Sequence, residues 1–293
     1  MSLQYYRALM NLDNNGFIDD IVSGTDTLVY DVFKRLESYS GQCMRIERDS
    51  DNTQTDIGFS NNYIDVSAIE SFCSGTEGRV AEWYDQSTLS ITGTTGSISQ
   101  STYSQMPIIY ESGAVVTEPN TGIVMPRFVD SNNTTLTDSV SDGTWSGSIH
   151  FIVFNKSSSS SNGGFGFPEG TGSAKFVSLN LINASDINAT WRYRDSTPDN
   201  MVASGLGYGD VYLSSMWHEL TGRNIRINGV EEDSSTLTES TSITPDSVRL
   251  GDYRSSTNDT INGYIGSFIS LRSNFEDLQS QIEDKINFDF QIY

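Results

Sequence analysis

From Gln42 onward the chain is cut into short runs of alternating or β-branched apolar residues, among them CMRIER, RVAEWY, MPIIY, SIHFIVFN, KFVSLNLI, TWRYR and VYLSSMWHEL. Clusters of Gly, Asn, Asp or Ser separate them, which is the pattern of strands joined by turns. The runs follow one another too closely, with too little helix between them, for a parallel α/β sheet. An all-β domain is therefore expected, and 293 residues at 36% apolar content suffice to bury its core without disulfides.

The expected architecture is a concanavalin A-like jelly-roll β-sandwich with short peripheral helices near the N- and C-termini. Residues 1–26 read as an N-terminal arm with an anchoring role, and 27–293 as the sandwich. Within the arm, Asp13-Asn14-Asn15-Gly16 looks like a calcium loop. With Gly16 at the sixth position, however, the twelfth is Val22 rather than the bidentate Glu an EF-hand needs. A helix is expected over Thr27–Ser38, where Val32, Phe33 and Leu36 fall at helical spacing, and a second over Asn274–Ile286 with Phe275, Leu278, Ile282 and Ile286 on one stripe. Tyr264 to Leu271 alternates as a buried strand. Asn228-Gly229 marks a tight hairpin with Ile225 and Ile227 on one face of the incoming strand. The run Ser157–Gly164 has too little apolar area to pack and reads as a loop.

A formal charge of −21 and a pI near 4.2 leave too few cations to neutralise phosphates, so no nucleic-acid partner is expected. The same charge disfavours anionic membranes. No apolar run approaches a membrane span and no secretory leader is evident, so neither insertion nor Sec export is expected. Cys43 and Cys73 are too few and too far apart for a metal site, and they are either small buried residues or a pair. No metal and no cofactor is expected.

In GRVAEWYDQS, residues 78–87, strict alternation puts Val80, Glu82 and Tyr84 on one face and Ala81 and Trp83 on the other. Asp85-Gln86-Ser87 then ends the strand. A core strand with a polar turn is the plainer reading; a sugar platform is the sharper one. Candidate glycan contacts are Trp83, Tyr84 and Asp85, joined by Trp191 and Tyr193 between Arg192 and Arg194. His150 lies in an apolar run and reads as a core residue rather than a base, and neither it nor His218 supports a triad. No G-x-S-x-G, H-E-x-x-H or phosphate-binding loop occurs. What chemistry remains is a carboxylate pair, facing each other at about 5 Å for retention or about 6.5–9.5 Å for inversion of a glycoside.

The segment VYDVFKRLESYSGQCMRIERDSDNTQTDIGF, then Phe72-Cys73 and VAEWYDQS, resembles the opening of the catalytic domain of the B-type fungal α-L-arabinofuranosidases. The resemblance implies a Glu nucleophile on a central strand and an Asp acid/base after a late L-G pair. The corresponding strand, AKFVSLNLI at 174–182, holds no carboxylate, with Val177 or a neighbour in the place of the Glu. Asp252 in LGD matches the acid/base, and Glu169 is the nearest candidate for its partner. The family's adjacent Cys-Cys pair has no counterpart. The chain also resembles virion proteins of tailed bacteriophages that carry this domain in fibres or other appendages. On that resemblance the expected function is a non-catalytic virion structural protein, assembled in the host cytoplasm. It would meet other virion proteins through its arm, form a homo-oligomer such as a trimer, and bind a host-surface glycan in the sharper version. The alternatives are an α-L-arabinofuranosidase using Asp252 and Glu169, and a cellular carbohydrate-binding adhesin.

Overall fold

The computed structural model describes residues 16–22, 26–87, 96–140, 145, 147–158, 163–168, 176–182, 187–194, 198–219, 222–236, 244–252, 260–272 and 276–293. They form two layers of antiparallel strands. The first layer runs, neighbour to neighbour, through Gln54–Ile57, Met44–Arg48, Gly78–Tyr84, Ser97–Ser99, Leu136–Ser139, Ser247–Leu250, Gly164–Pro168, Phe176–Ile182, Ile187–Arg194 and Pro198–Leu206. The second runs through Thr27–Asp31, Gly263–Leu271, Ser148–Lys156, Val211–His218, Arg223–Ile227 and Val230–Ser235. Gly78–Tyr84 joins the layers, since it also pairs with Ile108–Glu111, which pairs with Arg127–Phe128 and so reaches Gly263–Leu271. The expected all-β sandwich is what the chain forms.

The core lies between the layers because alternate residues of both point inward. Phe165 of the first layer meets Phe268 of the second with ring centroids 4.4 Å apart, and Tyr30, paired with Phe268 across neighbouring strands, stacks with it at 6.3 Å. Ser148–Lys156 is buried along its whole length, with the inner face of the sandwich on one side and the C-terminal helix and loops on the other.

The expected helix over Thr27–Ser38 is absent. Thr27–Asp31 is a fully buried strand paired with Gly263–Leu271, and no helix follows it. Leu28, Val29 and Tyr30 are β-branched or bulky, and a vacant edge of Gly263–Leu271 outweighs the weak helical spacing of Val32, Phe33 and Leu36. Alternation in Gly78–Tyr84 also fails at one place. Arg45 pairs with Glu82 but Ile46 pairs with Val80, so Ala81 is an extra residue in a β-bulge. Val80 and Trp83 therefore both turn into the core, while Glu82 and Tyr84 share the outer side.

A helix missing from the sequence reading, α1 at Val66–Cys73, starts on an Asp65 side chain that accepts from Ala68 N at 3.0 Å. The C-terminal helix, α2, spans Asp277–Phe290 and buries Ile282, Ile286 and Phe290; Phe275 lies outside the described residues. The Asn228-Gly229 hairpin is as expected, with φ of 51° and 77° at the two turn residues. Cys43 and Cys73 are both free and buried. Ile18 and Val22 pack into the same core as the sandwich.

Candidate functional site

The motif that stands out in the sequence folds into a fastener. Trp83 has no exposed surface, so its ring offers no platform to a sugar. Asp85 Oδ1 accepts from Val29 N at 2.8 Å and from Ser87 N at 2.9 Å. Gln86 is fully buried; its Oε1 accepts from Arg35 N, and its Nε2 donates to the carbonyls of Asp31 and Phe33. These bonds tie the end of Gly78–Tyr84 to the irregular segment after Thr27–Asp31. Arg35, fully buried, completes the knot by pairing with Asp31 and with Asp289 of α2, each at 2.6 Å. Tyr84 is on the outer side, where its Oη donates to Asp56, itself paired with Arg45. Trp83 and Asp85 are thus removed from the set of glycan contacts by burial and by occupied hydrogen bonds. Trp191 and Tyr193 are placed by backbone register alone, opposite Leu179 and Val177, and their side chains fall outside the described set.

Directly paired residues of antiparallel strands point to the same side of a sheet, so the register identifies what lies on the outer face of the first layer. Asp56, Arg45, Glu82, Ser99 and Thr137 follow one another across it. The same line continues through Arg249, Gly166 and Ser178, and in backbone register through Arg192 and Asn200. Phe165, Leu179 and Leu250, one residue along each strand, face the core. Val177, in register with inward Phe167, is also a core residue. On Phe176–Ile182 the position that faces outward beside the glycine is therefore Ser178, and no carboxylate stands there.

Asp252 lies to the side of this line, two residues past the end of Ser247–Leu250. Gly251 takes φ +90°, and a Cβ there would fall 2.6 Å from Thr134 O and 2.5 Å from the Phe128 ring, so only glycine fits. The turn leaves Asp252 4% exposed, with Oδ2 3.2 Å from Arg249 Nη2. Arg249 is the residue that sequence reasoning missed; its place three positions before Asp252 was the available signal. Asp130 was missed too. The turn 129–134 wraps the Gly251 corner, with Asn133 N bonded to Asp130 O and Thr134 N to Val129 O. Asp130 also acts electrostatically on Lys156, whose Nζ donates to Leu181 O at the same end of the sandwich. Glu169 lies outside the described residues, but it follows Pro168, whose carbonyl accepts from Asp246 N. That is the opposite end of Ser247–Leu250 from Asp252.

The comparisons with known proteins bear on this site. The family model for the catalytic domain of α-L-arabinofuranosidase B matches residues 30–112. A GH54 α-L-arabinofuranosidase soaked with a cyclic sulfate inhibitor superposes with a TM-score of 0.68 at 15% identity, over 92% of this chain and 65% of that one. An arabinofuranosidase complexed with arabinofuranosyl-α-1,2-xylobiose gives 0.65 at 16% identity, over 92% and 64%. The chain has the fold of these arabinofuranosidases. It spans about two thirds of their length, 65% and 64%. No curated protein matches it in sequence.

These findings overturn the expectation of a non-catalytic virion protein. Both the family model and the structural likeness over 92% of this chain lead to glycoside hydrolases, and nothing in them leads to a phage particle. The histidines stand as read from the sequence. His150 is fully buried between Ser148 Oγ at 2.8 Å and Ser270 Oγ at 2.9 Å, and burial lowers it to about 3. A histidine so placed stays neutral and holds the sandwich together rather than moving protons for a substrate. Among the described residues no cluster of His, Cys, Asp or Glu is arranged to hold a metal ion.

Proposed function

We propose that this chain is a glycoside hydrolase of the α-L-arabinofuranosidase type, acting on terminal arabinofuranosyl groups at the corner that carries Asp252. The observation that carries the reading is Asp252 itself. It is a nearly buried carboxylate, oriented by Arg249 and built on a glycine turn that admits no side chain, in a sandwich with the fold of arabinofuranosidases. Asp252 is assigned the acid/base role. Because Phe176–Ile182 offers Ser178 where a carboxylate would face out, the second carboxylate has to come from another segment. Asp130, brought to the same end by its turn, is assigned that role in preference to Glu169.

The test is release of nitrophenol from 4-nitrophenyl α-L-arabinofuranoside, a compound soaked into one of the solved GH54 enzymes. Loss of an acid/base or its partner costs about 10²–10⁴-fold, so Asp252→Asn and Asp130→Asn should each fall by that order while Glu169→Gln keeps its rate. Added azide should react with both variants but give opposite products: with Asp130→Asn it attacks the arabinoside directly, expels nitrophenolate and gives the inverted β-azide, whereas with Asp252→Asn it displaces the enzyme carboxylate from the glycosyl-enzyme and gives the retained α-azide. Folded wild-type protein that releases no nitrophenol would overturn the proposal. A loss confined to Glu169→Gln would instead move the second carboxylate to that residue.

A further inference from the structure

At the far edge of the second layer, away from Asp252, the N-terminal end of α2 and the strands Val211–His218, Arg223–Ile227 and Val230–Ser235 border an open pocket of about 690 Å³. That volume lies within the range of small-ligand sites. Its lining includes Trp217, Gly222, Arg223, Asn224, Glu231 and Glu276.

Two atoms of lining residues are unusual. Trp217 Nε1 and Asn224 Oδ1 are buried and have no hydrogen-bond partner among the described residues, and the two residues are 8% and 3% exposed. Leaving a buried donor or acceptor unpaired is costly, and folded chains seldom do so without a ligand or water to meet it. Both belong to one outer surface, since Trp217 and Asn224 are a directly paired couple of neighbouring strands. One of the atoms needs an acceptor and the other a donor, and a hydroxyl group is both. Glu276 Oε1, which already accepts from Asn224 Nδ2 at 3.1 Å, adds further acceptor capacity at the rim. Gly222 lies against the indole, where a Cβ would meet the Trp217 ring at 3.4 Å. The lining is therefore one flat aromatic ring with hydrogen-bonding groups of both kinds. Arg223 is offset by two glutamates, so no net positive charge favours an anion.

We infer that this pocket binds a neutral oligosaccharide, with Trp217 against a sugar face and Asn224 and Glu276 on its hydroxyls. The site belongs to the layer opposite Asp252 and stands independently of the hydrolase reading. It would hold a second stretch of glycan without reacting with it.

The test uses the full chain labelled with ¹⁵N in its four tryptophan indoles, the Trp217 signal being assigned by its loss in Trp217→Phe. Xylotriose, cellotriose and arabinotriose are titrated in turn, with inorganic phosphate as a separate arm. The expected result is a saturable shift of the Trp217 indole with at least one sugar. Asn224→Ala should weaken that binding about tenfold, which corresponds to losing one hydrogen bond, while Asp252→Asn leaves it unchanged. The three other indole signals report whether each variant is folded, and Glu276→Gln at the rim serves as a second, milder variant with a smaller loss. No saturable shift with any sugar would overturn the inference and leave a solvent-filled pocket. A response to phosphate alone, or a sugar response abolished by Asp252→Asn, would overturn it as well.

Discussion

Replacing Gln86 with Ala should be among the most damaging single changes to this domain, although the residue touches no substrate. Its side chain is fully buried and makes three bonds to main-chain groups, of Arg35, Asp31 and Phe33, at 2.8, 3.0 and 3.0 Å. Truncation leaves those groups facing a dry cavity, at about 1–3 kcal/mol for each group that finds no other partner. Asp31 O keeps a weak contact from Cys43 Sγ at 3.5 Å, so two groups are left without any substitute. The expected loss is about 2–6 kcal/mol, a large part of the stability of an ordinary domain. Gln86→Glu should be at least as harmful, because it sets a carboxylate oxygen against two carbonyls where an amide donated. The comparison is Tyr84→Phe, two residues earlier, which removes only the outward bond to Asp56 and should cost about 1 kcal/mol or less. Urea unfolding of the three variants measures this directly. A loss under about 1 kcal/mol for Gln86→Ala, or one no larger than that of Tyr84→Phe, would refute the fastening role of the motif.

The remaining predictions concern the corner and the buried ionisable groups. Gly251→Ala should lower arabinoside hydrolysis by about a hundredfold, the order expected when a catalytic group moves by an ångström, because its Cβ collides with Thr134 O and displaces Asp252; steady-state kinetics on the folded fraction decides it. Burial lowers His150 to about 3 and His218 to about 4. The folded state thus binds fewer protons than the unfolded one below pH about 6.5, and each histidine's stabilisation is complete above that pH and lost as the pH falls toward 4. Urea midpoints should show wild type losing about 2 kcal/mol more than His218→Gln between pH 7 and pH 5. Lys156 is fully buried and lowered to about 8 by burial, so the penalty on its ammonium is full below pH 8 and relieved as the pH rises toward 10.5. The stability advantage of Lys156→Met over wild type should therefore shrink by about 3 kcal/mol across that window, and a pH-independent difference would show that the lysine carries no such penalty.

The strands were legible because each carries its own signal. SIHFIVFN and INGYIGSFISL are long enough and β-branched enough to be buried on both sides, and Asn228-Gly229 announces its turn by the only two residue types that accept left-handed φ cheaply. The helix expected over Thr27–Ser38 does not form because the conformation of this segment is decided from outside. The edge of Gly263–Leu271 claims Thr27–Asp31, and Gln86, Asp289 and the Arg35 guanidinium fix the irregular segment 32–36 through contacts separated by 51 and 254 positions in the chain. The faces of GRVAEWY were misassigned by a single bulge at Ala81, and one extra residue reverses every side chain beyond it.

The same distinction explains why the candidate site was only half visible. Asp252 carried a local signature, a glycine turn and a carboxylate after a strand, and so could be picked out from LGD. Arg249, three residues back, is local as well; what makes Asp252 more than one acid among 38 is non-local: the turn 129–134 packed on the Gly251 corner, and Ser178 brought into line by two strand pairings. Glu169 was chosen for nearness in sequence to the expected nucleophile strand, whereas antiparallel pairing carries the chain from Gly164, beside Gly251, to Pro168, beside Asp246. Asp130, by contrast, lies in the turn 129–134 whose Thr134 carbonyl packs on the Gly251 corner, a placement that no stretch of the sequence signals by itself.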